Sequence, residues 1–249
     1  MKTQDVAVIG ICAALYAAFG ILTANFSFLG IGFLPAVVIP AIFAALYGPW
    51  VGGFSGAIGI FIRDMFVHGN AALSLAAGVP PNFILFFLIG YISYRKISLK
   101  QTLIGVTLAS VGLFLPTILF FPDLIAYTGL SNEAFALTFI LTIILSLVII
   151  AVAAIRWNEW RSYAIAAVIG QTAGAGLLSI TVWAVSPLFP SFFGTPLASY
   201  LILPIFIWLF ATELPFILLA GPPIIKACYR AFPSLKQRQK SVTKGEPIE

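Results

Sequence analysis

Between Val6 and Ala24 the chain runs nineteen residues without a charged side chain, and seven further apolar runs follow. They extend over Leu34 to Tyr47, Trp50 to Phe66, Pro81 to Tyr94, Gln101 to Phe121, Ala134 to Ile155, Ser162 to Ser186 and Tyr200 to Ile225. A run that is apolar on every side has no polar face to turn to water, which excludes a soluble bundle of amphipathic helices. A helix needs roughly 20 such residues to cross a bilayer. The composition agrees, with 8% charged residues against the roughly 25% of a soluble domain. The expected fold is therefore an all-α polytopic membrane protein. Six to eight transmembrane helices are expected, because the second and fourth runs have only about fourteen residues. The first run is too long for the core of a cleaved signal peptide and reads as helix one.

Lysine and arginine near helix ends are retained on the cytoplasmic side of a membrane. With eight helices and both termini cytoplasmic, Lys2, the group Arg95, Lys96 and Lys100, the pair Arg156 and Arg161, and the tail cations all fall inside. Only Arg63 falls outside, beside Asp64. Residues 1–225 then form one transmembrane domain, and 226–249 a basic tail expected to be largely disordered. That tail holds six of the thirteen cations, so the net charge reflects topology and anionic lipid rather than nucleic-acid binding. Cys12 and Cys228 form no disulfide framework and no metal-ligand spacing. The external connections, Asn25 to Phe33, Val67 to Pro80, Pro122 to Glu133 and Pro187 to Ser199, are longer than the internal turns. This pattern predicts a cup that opens outward under a lid of loops.

Two groups of residues can carry chemistry. At the outer end of helix three, Arg63, Asp64, His68 and Asn70 form either an interfacial cap or the mouth of a ligand pocket. In the second case Asn25, Phe26 and Phe28 of the first loop and Asn82 of helix four complete it. Glu213 lies in the middle of the last helix, and a carboxyl at such depth is functional by default. It can accept a hydrogen bond from substrate, couple protons, or serve as a structural partner for a donor such as Gln171. Aromatic residues at the run ends form an interfacial belt, from which Trp183 could also stack on a planar ligand. No phosphate-binding loop, zinc-protease motif or nucleophile elbow is present. No catalytic residue, metal site or cofactor is expected, and the chain is not read as an enzyme.

The stretch Ala13 to Asp64 carries the most specific pattern. Ala13 and Ala17, and again Ala14 and Ala18, lie four apart and give helix one a shallow strip that another helix can approach closely. Tyr47-Gly48-Pro49-Trp50 marks a tight hairpin whose returning arm carries Gly52, Gly53, Gly56 and Gly59. Together with the Leu34-Pro35-Ala36 start of helix two, these features resemble the S components, the membrane-embedded substrate-binding subunits, of energy-coupling-factor (ECF) transporters, which import vitamins into prokaryotic cells. The resemblance covers about the first 95 residues. It implies that Ala13, Ala14, Ala17 and Ala18 dock on a transmembrane coupling protein driven by two ATPase subunits. It also implies a vitamin or related small metabolite bound on the outer side of the cell membrane; from their positions in the chain, Asn25, Phe26, Phe28, Arg63, Asp64, Asn82, Gln171, Trp183 and Glu213 are the residues expected to bind it. The early histidine of metal-specific members is missing, so cobalt and nickel are not expected. Two other readings stay open: a proton-coupled secondary transporter using Glu213, and a membrane scaffold that transports nothing.

Overall fold

A computed structural model describes residues 2–24, 27–105 and 160–235, with a few isolated positions between 107 and 152. The expected helices Gln101 to Phe121 and Ala134 to Ile155 therefore lie almost wholly outside the described residues, as do Asn25, Phe26 and positions 236–249. Among the described residues five helices are long and apolar enough to cross a membrane. They are α1 (Thr3–Leu22), α3 (Pro49–Val67), α4 (Ala71–Ser93), α5 (Arg161–Val185, continued by a short 3-10 turn) and α6 (Ile202–Ala231). The shorter α2 (Val38–Tyr47), entered through a 3-10 turn at Pro35–Val37, completes the bundle. The protein is a multi-pass, all-α membrane protein.

The predicted hairpin is as tight as its sequence suggests. Gly48 alone separates α2 from α3 at φ +101°, a conformation that side chains oppose, and Pro49 opens α3 where a missing N–H costs nothing. The glycines of α3 admit its neighbours. A Cβ on Gly56 would overlap the Phe86 ring of α4, and one on Gly59 would stand 2.7 Å from the Tyr16 ring and 3.0 Å from the Ala13 carbonyl of α1. Packed this closely, α1, α2, α3 and α4 enclose a core around Tyr16, Phe86 and Ile89. Helices α5 and α6 seal its other side with Ala166, Ile207, Leu214 and Ile217.

Three sequence expectations change. The connection Val67 to Pro80 is mostly helix: the Asn70 side chain accepts a hydrogen bond from the Leu73 N–H at 3.0 Å and caps a new helical start. A π turn over Ser74–Gly78 then leads into Val79–Ser93, so Pro80 sits within α4 instead of before it, and Pro81 is no longer its first residue. In the first loop, Ser27–Phe28 (β1) and Ile31–Gly32 (β2) pair antiparallel. They turn at Leu29 (φ +52°) and Gly30 (φ +78°), the positive φ pair of a primed hairpin turn. Finally, α6 runs on to Ala231, so the first residues of the expected disordered tail are helical.

Candidate functional site

The hairpin end of the bundle, where α3 ends and α4 and α6 begin, opens into a cleft of about 800 Å³, its mouth included. One wall comes from α3 and α4 and carries most of the polar groups. Arg63 Nη1 donates to Asp64 Oδ1 at 3.0 Å, and the Ser74 hydroxyl donates to Asp64 Oδ2 at 2.7 Å. His68 accepts the Asn70 N–H on Nδ1 at 3.1 Å, which leaves the ring proton on Nε2, 3.7 Å from Asp64 Oδ2. Deeper in, Asn82 Oδ1 accepts from the Tyr16 hydroxyl at 2.8 Å, and Asn82 Nδ2 donates to the Gly78 carbonyl at 2.9 Å. Each acidic or amide group on this wall is held by a neighbour from another part of the chain, which fixes its orientation.

Arg63 is the exception, since its Nε and Nη2 are buried without a partner among the described residues. Gly32 of β2 lies directly over Nη2, and a Cβ there would overlap that nitrogen. The hairpin therefore reaches down to the ion pair. It is tethered on its far side by α6, where Trp208 Nε1 donates to the Ile31 carbonyl at 3.2 Å. Gly30 rests on the Phe192 ring, which meets His68 edge-on with centroids 5.3 Å apart.

The opposite wall comes from α5 and α6. Gly174, Ala175, Leu178 and Val182 present one apolar face of α5, and Leu209 and Glu213 line the cleft from α6. Glu213 lies eleven residues into α6, about 16 Å along the axis at 1.5 Å per residue. It is close to the middle of a bilayer-spanning helix, as its sequence position suggests.

Of the predicted ligand residues, Arg63, Asp64, Asn82 and Glu213 line this one cleft. Three others do not. Gln171 stands behind Glu213 and bonds to it instead of facing the cleft. Trp183 follows the cleft-lining Val182 by one residue, hence by about 100° around α5, and is not part of the lining. Phe28 turns from the cleft to pack on Trp208, with centroids 5.7 Å apart. The aromatic surface is supplied by Phe192 and Phe193, which the sequence hides in an external loop. Ser74 and Gly78 were equally hidden in a connection expected to be irregular; the Asn70 cap was the signal available for them.

The alanine strip divides. Ala13 and Ala17 are buried within the chain's own bundle, at 1% and 3% exposure, and Gly59 lets α3 close upon Ala13. They are not available to a second polypeptide. Ala14 and Ala18 are exposed, and a Cβ on Gly10, one turn earlier, would meet nothing within 4 Å.

The model of the family described as ECF-type riboflavin transporter, S component, matches residues 1–159. Neither the curated proteins nor the solved structures gave a significant match to the chain.

Proposed function

Because the chain belongs to the family of ECF-type riboflavin transporter S components, we propose that it captures riboflavin or a close flavin relative in the cleft between α3, α4, α5 and α6. Membership establishes the broader role of a membrane-embedded, non-enzymatic subunit of a vitamin transporter that works with other ECF components. The flavin itself, a transmembrane coupling protein and two ATPase subunits as partners, and a prokaryotic cell membrane with cytoplasmic termini belong to the proposal.

The observation that carries it is the cleft. Its apolar wall, with Phe192 and Phe193 in the lining, suits a planar ring system, and its polar wall suits the heteroatoms on the ring edge and side chain. The hairpin end would face outward. Arg63, Asp64 and Asn82 would orient the ligand, and Ala14 and Ala18 would meet the coupling protein as the smooth outer strip of α1.

Titrating the detergent-purified chain with riboflavin tests the reading, because flavin fluorescence is quenched on burial against aromatic rings. Saturable quenching at one flavin per chain is expected. Fluorescence that stays that of free riboflavin at every protein concentration would exclude a flavin carrier.

A further inference from the structure

The matched family region stops at residue 159, yet a whole wall of the cleft is built beyond it, from α5 and α6. That wall is apolar apart from a single carboxyl group, Glu213, which is 5% exposed. Its surroundings fix how it can be used. Gln171 Nε2 donates to Glu213 Oε2 at 2.7 Å and to the Leu209 carbonyl at 3.2 Å. A backbone carbonyl only accepts, so Leu209 settles which end of the Gln171 amide turns toward Glu213. Glu213 Oε2 is thereby held as an acceptor, whereas Glu213 Oε1 has no hydrogen-bond partner among the described residues and belongs to a residue that lines the cleft. Binding Gln171 needs one oxygen and no cavity. A carboxyl that offers its second oxygen to a cleft, at bilayer depth, is costly unless something there donates to it.

We infer that Glu213 Oε1 accepts a hydrogen bond from an N–H or O–H donor of the bound vitamin, with Gln171 as the positioning residue that aims it. The inference rests on the flavin reading and adds to it the element that selects the ligand on the wall outside the family match. A flavin has two sources of such a donor, the ring imide N–H and the hydroxyls of the sugar-alcohol chain.

The experiment compares riboflavin, N3-methylriboflavin, which lacks the imide donor, and lumiflavin, which lacks the hydroxyl chain, on the full-length purified chain. Glu213→Gln is informative because Gln171 continues to claim an oxygen, so the new amide turns its NH2 toward the cleft and meets the ligand donor with another donor. Riboflavin affinity should then fall about 10- to 100-fold, the range for a buried donor left without an acceptor. The analogue lacking the relevant donor should already bind the wild type more weakly, and should lose nothing further in Glu213→Gln. The other analogue should lose as much as riboflavin does. Gln171→Leu should lower the ratio of riboflavin to donor-lacking analogue, which a general loosening of the bundle would leave unchanged. Equal losses for all three flavins, or no loss, would overturn the inference while leaving the flavin reading intact. If the variants do not fold, the wild type still decides: both analogues binding as tightly as riboflavin would overturn it. A wild type that binds no flavin would remove the reading and the inference together.

Discussion

The two walls of the cleft are built on different principles. On the α3 and α4 side Arg63, Asp64, Ser74 and Asn82 are tied to one another and to neighbouring helices by bonds of 2.7–3.0 Å. On the α5 and α6 side one buried pair, Gln171 and Glu213, stands in an otherwise apolar face. Polar groups in such a place are costly unless their partners are supplied, so the first wall depends on the bonds of its network. The second can change shape through its apolar residues with little electrostatic consequence. It follows that the α3 and α4 wall holds the fold and site together, while the α5 and α6 wall is where ligand selection can vary.

Breaking the network should produce the largest effect. Asp64→Ala removes both the acceptor of Ser74 and the counter-charge of Arg63, and both side chains of that ion pair are 8% exposed. The guanidinium already has two nitrogens without partners, so the substitution leaves a buried cation almost wholly uncompensated. A loss of about 3–5 kcal/mol is expected, measured as a fall in unfolding midpoint in detergent. A fall no greater than that for an exposed substitution such as Leu22→Ala would mean that the pair is solvated and the network is not what holds this wall.

A smaller effect sharpens the contrast, because each half of the bundle contains a buried tyrosine bonded through its hydroxyl. Tyr16 donates to the cleft residue Asn82, and Tyr163 donates to the Ile217 carbonyl inside the core. Replacing either by phenylalanine deletes one buried hydrogen bond, at about 0.5–1.5 kcal/mol each. The thermal midpoints should therefore fall by similar amounts. Riboflavin affinity should not: Tyr16→Phe frees the Asn82 amide in the cleft and weakens binding, whereas Tyr163→Phe leaves it unchanged. Equal effects on affinity would show that the two walls are not separable in this way.

Much of this division could be read from the residues. The apolar runs fixed the class, Gly48-Pro49 fixed the hairpin, and the isolated charges Arg63, Asp64 and Glu213 marked three corners of one cleft, because an ionisable group in such a chain has few other reasons to exist. What was not legible depended on packing or on local hydrogen bonds. Pro80 read as the end of a loop and Pro81 as the start of a helix, and only the π turn at Ser74–Gly78 shows how a helix can pass through both. Gln171 and Trp183 lie on the correct helix, but a helix has several faces, and an all-round apolar sequence does not say which one meets the cavity. The alanine strip divided for the same reason, with Ala13 and Ala17 buried and Ala14 and Ala18 exposed. Spacing four apart identifies two pairs without saying which pair faces inward.

That last ambiguity leads to the prediction with the least effect on stability. Ala13 touches α3 closely enough that its carbonyl would stand 3.0 Å from a Cβ on Gly59, whereas Ala14 is exposed on the other side of α1. A leucine at Ala13 must displace α3, at about 1–3 kcal/mol, so it should lower the unfolding midpoint and disturb the Tyr16–Asn82 bond to the cleft. A leucine at the exposed Ala14 position should alter stability by less than about 0.5 kcal/mol, with riboflavin binding unchanged. Its consequence would appear only when the coupling protein is present. A partner helix that lies against Gly10, Ala14 and Ala18 is pushed away by the added side chain, and co-purification with the coupling protein should be lost. Because the same substitution leaves the isolated subunit folded and flavin-competent, retained co-purification would have one meaning: the docking surface of this chain lies on a face other than the outer strip of α1.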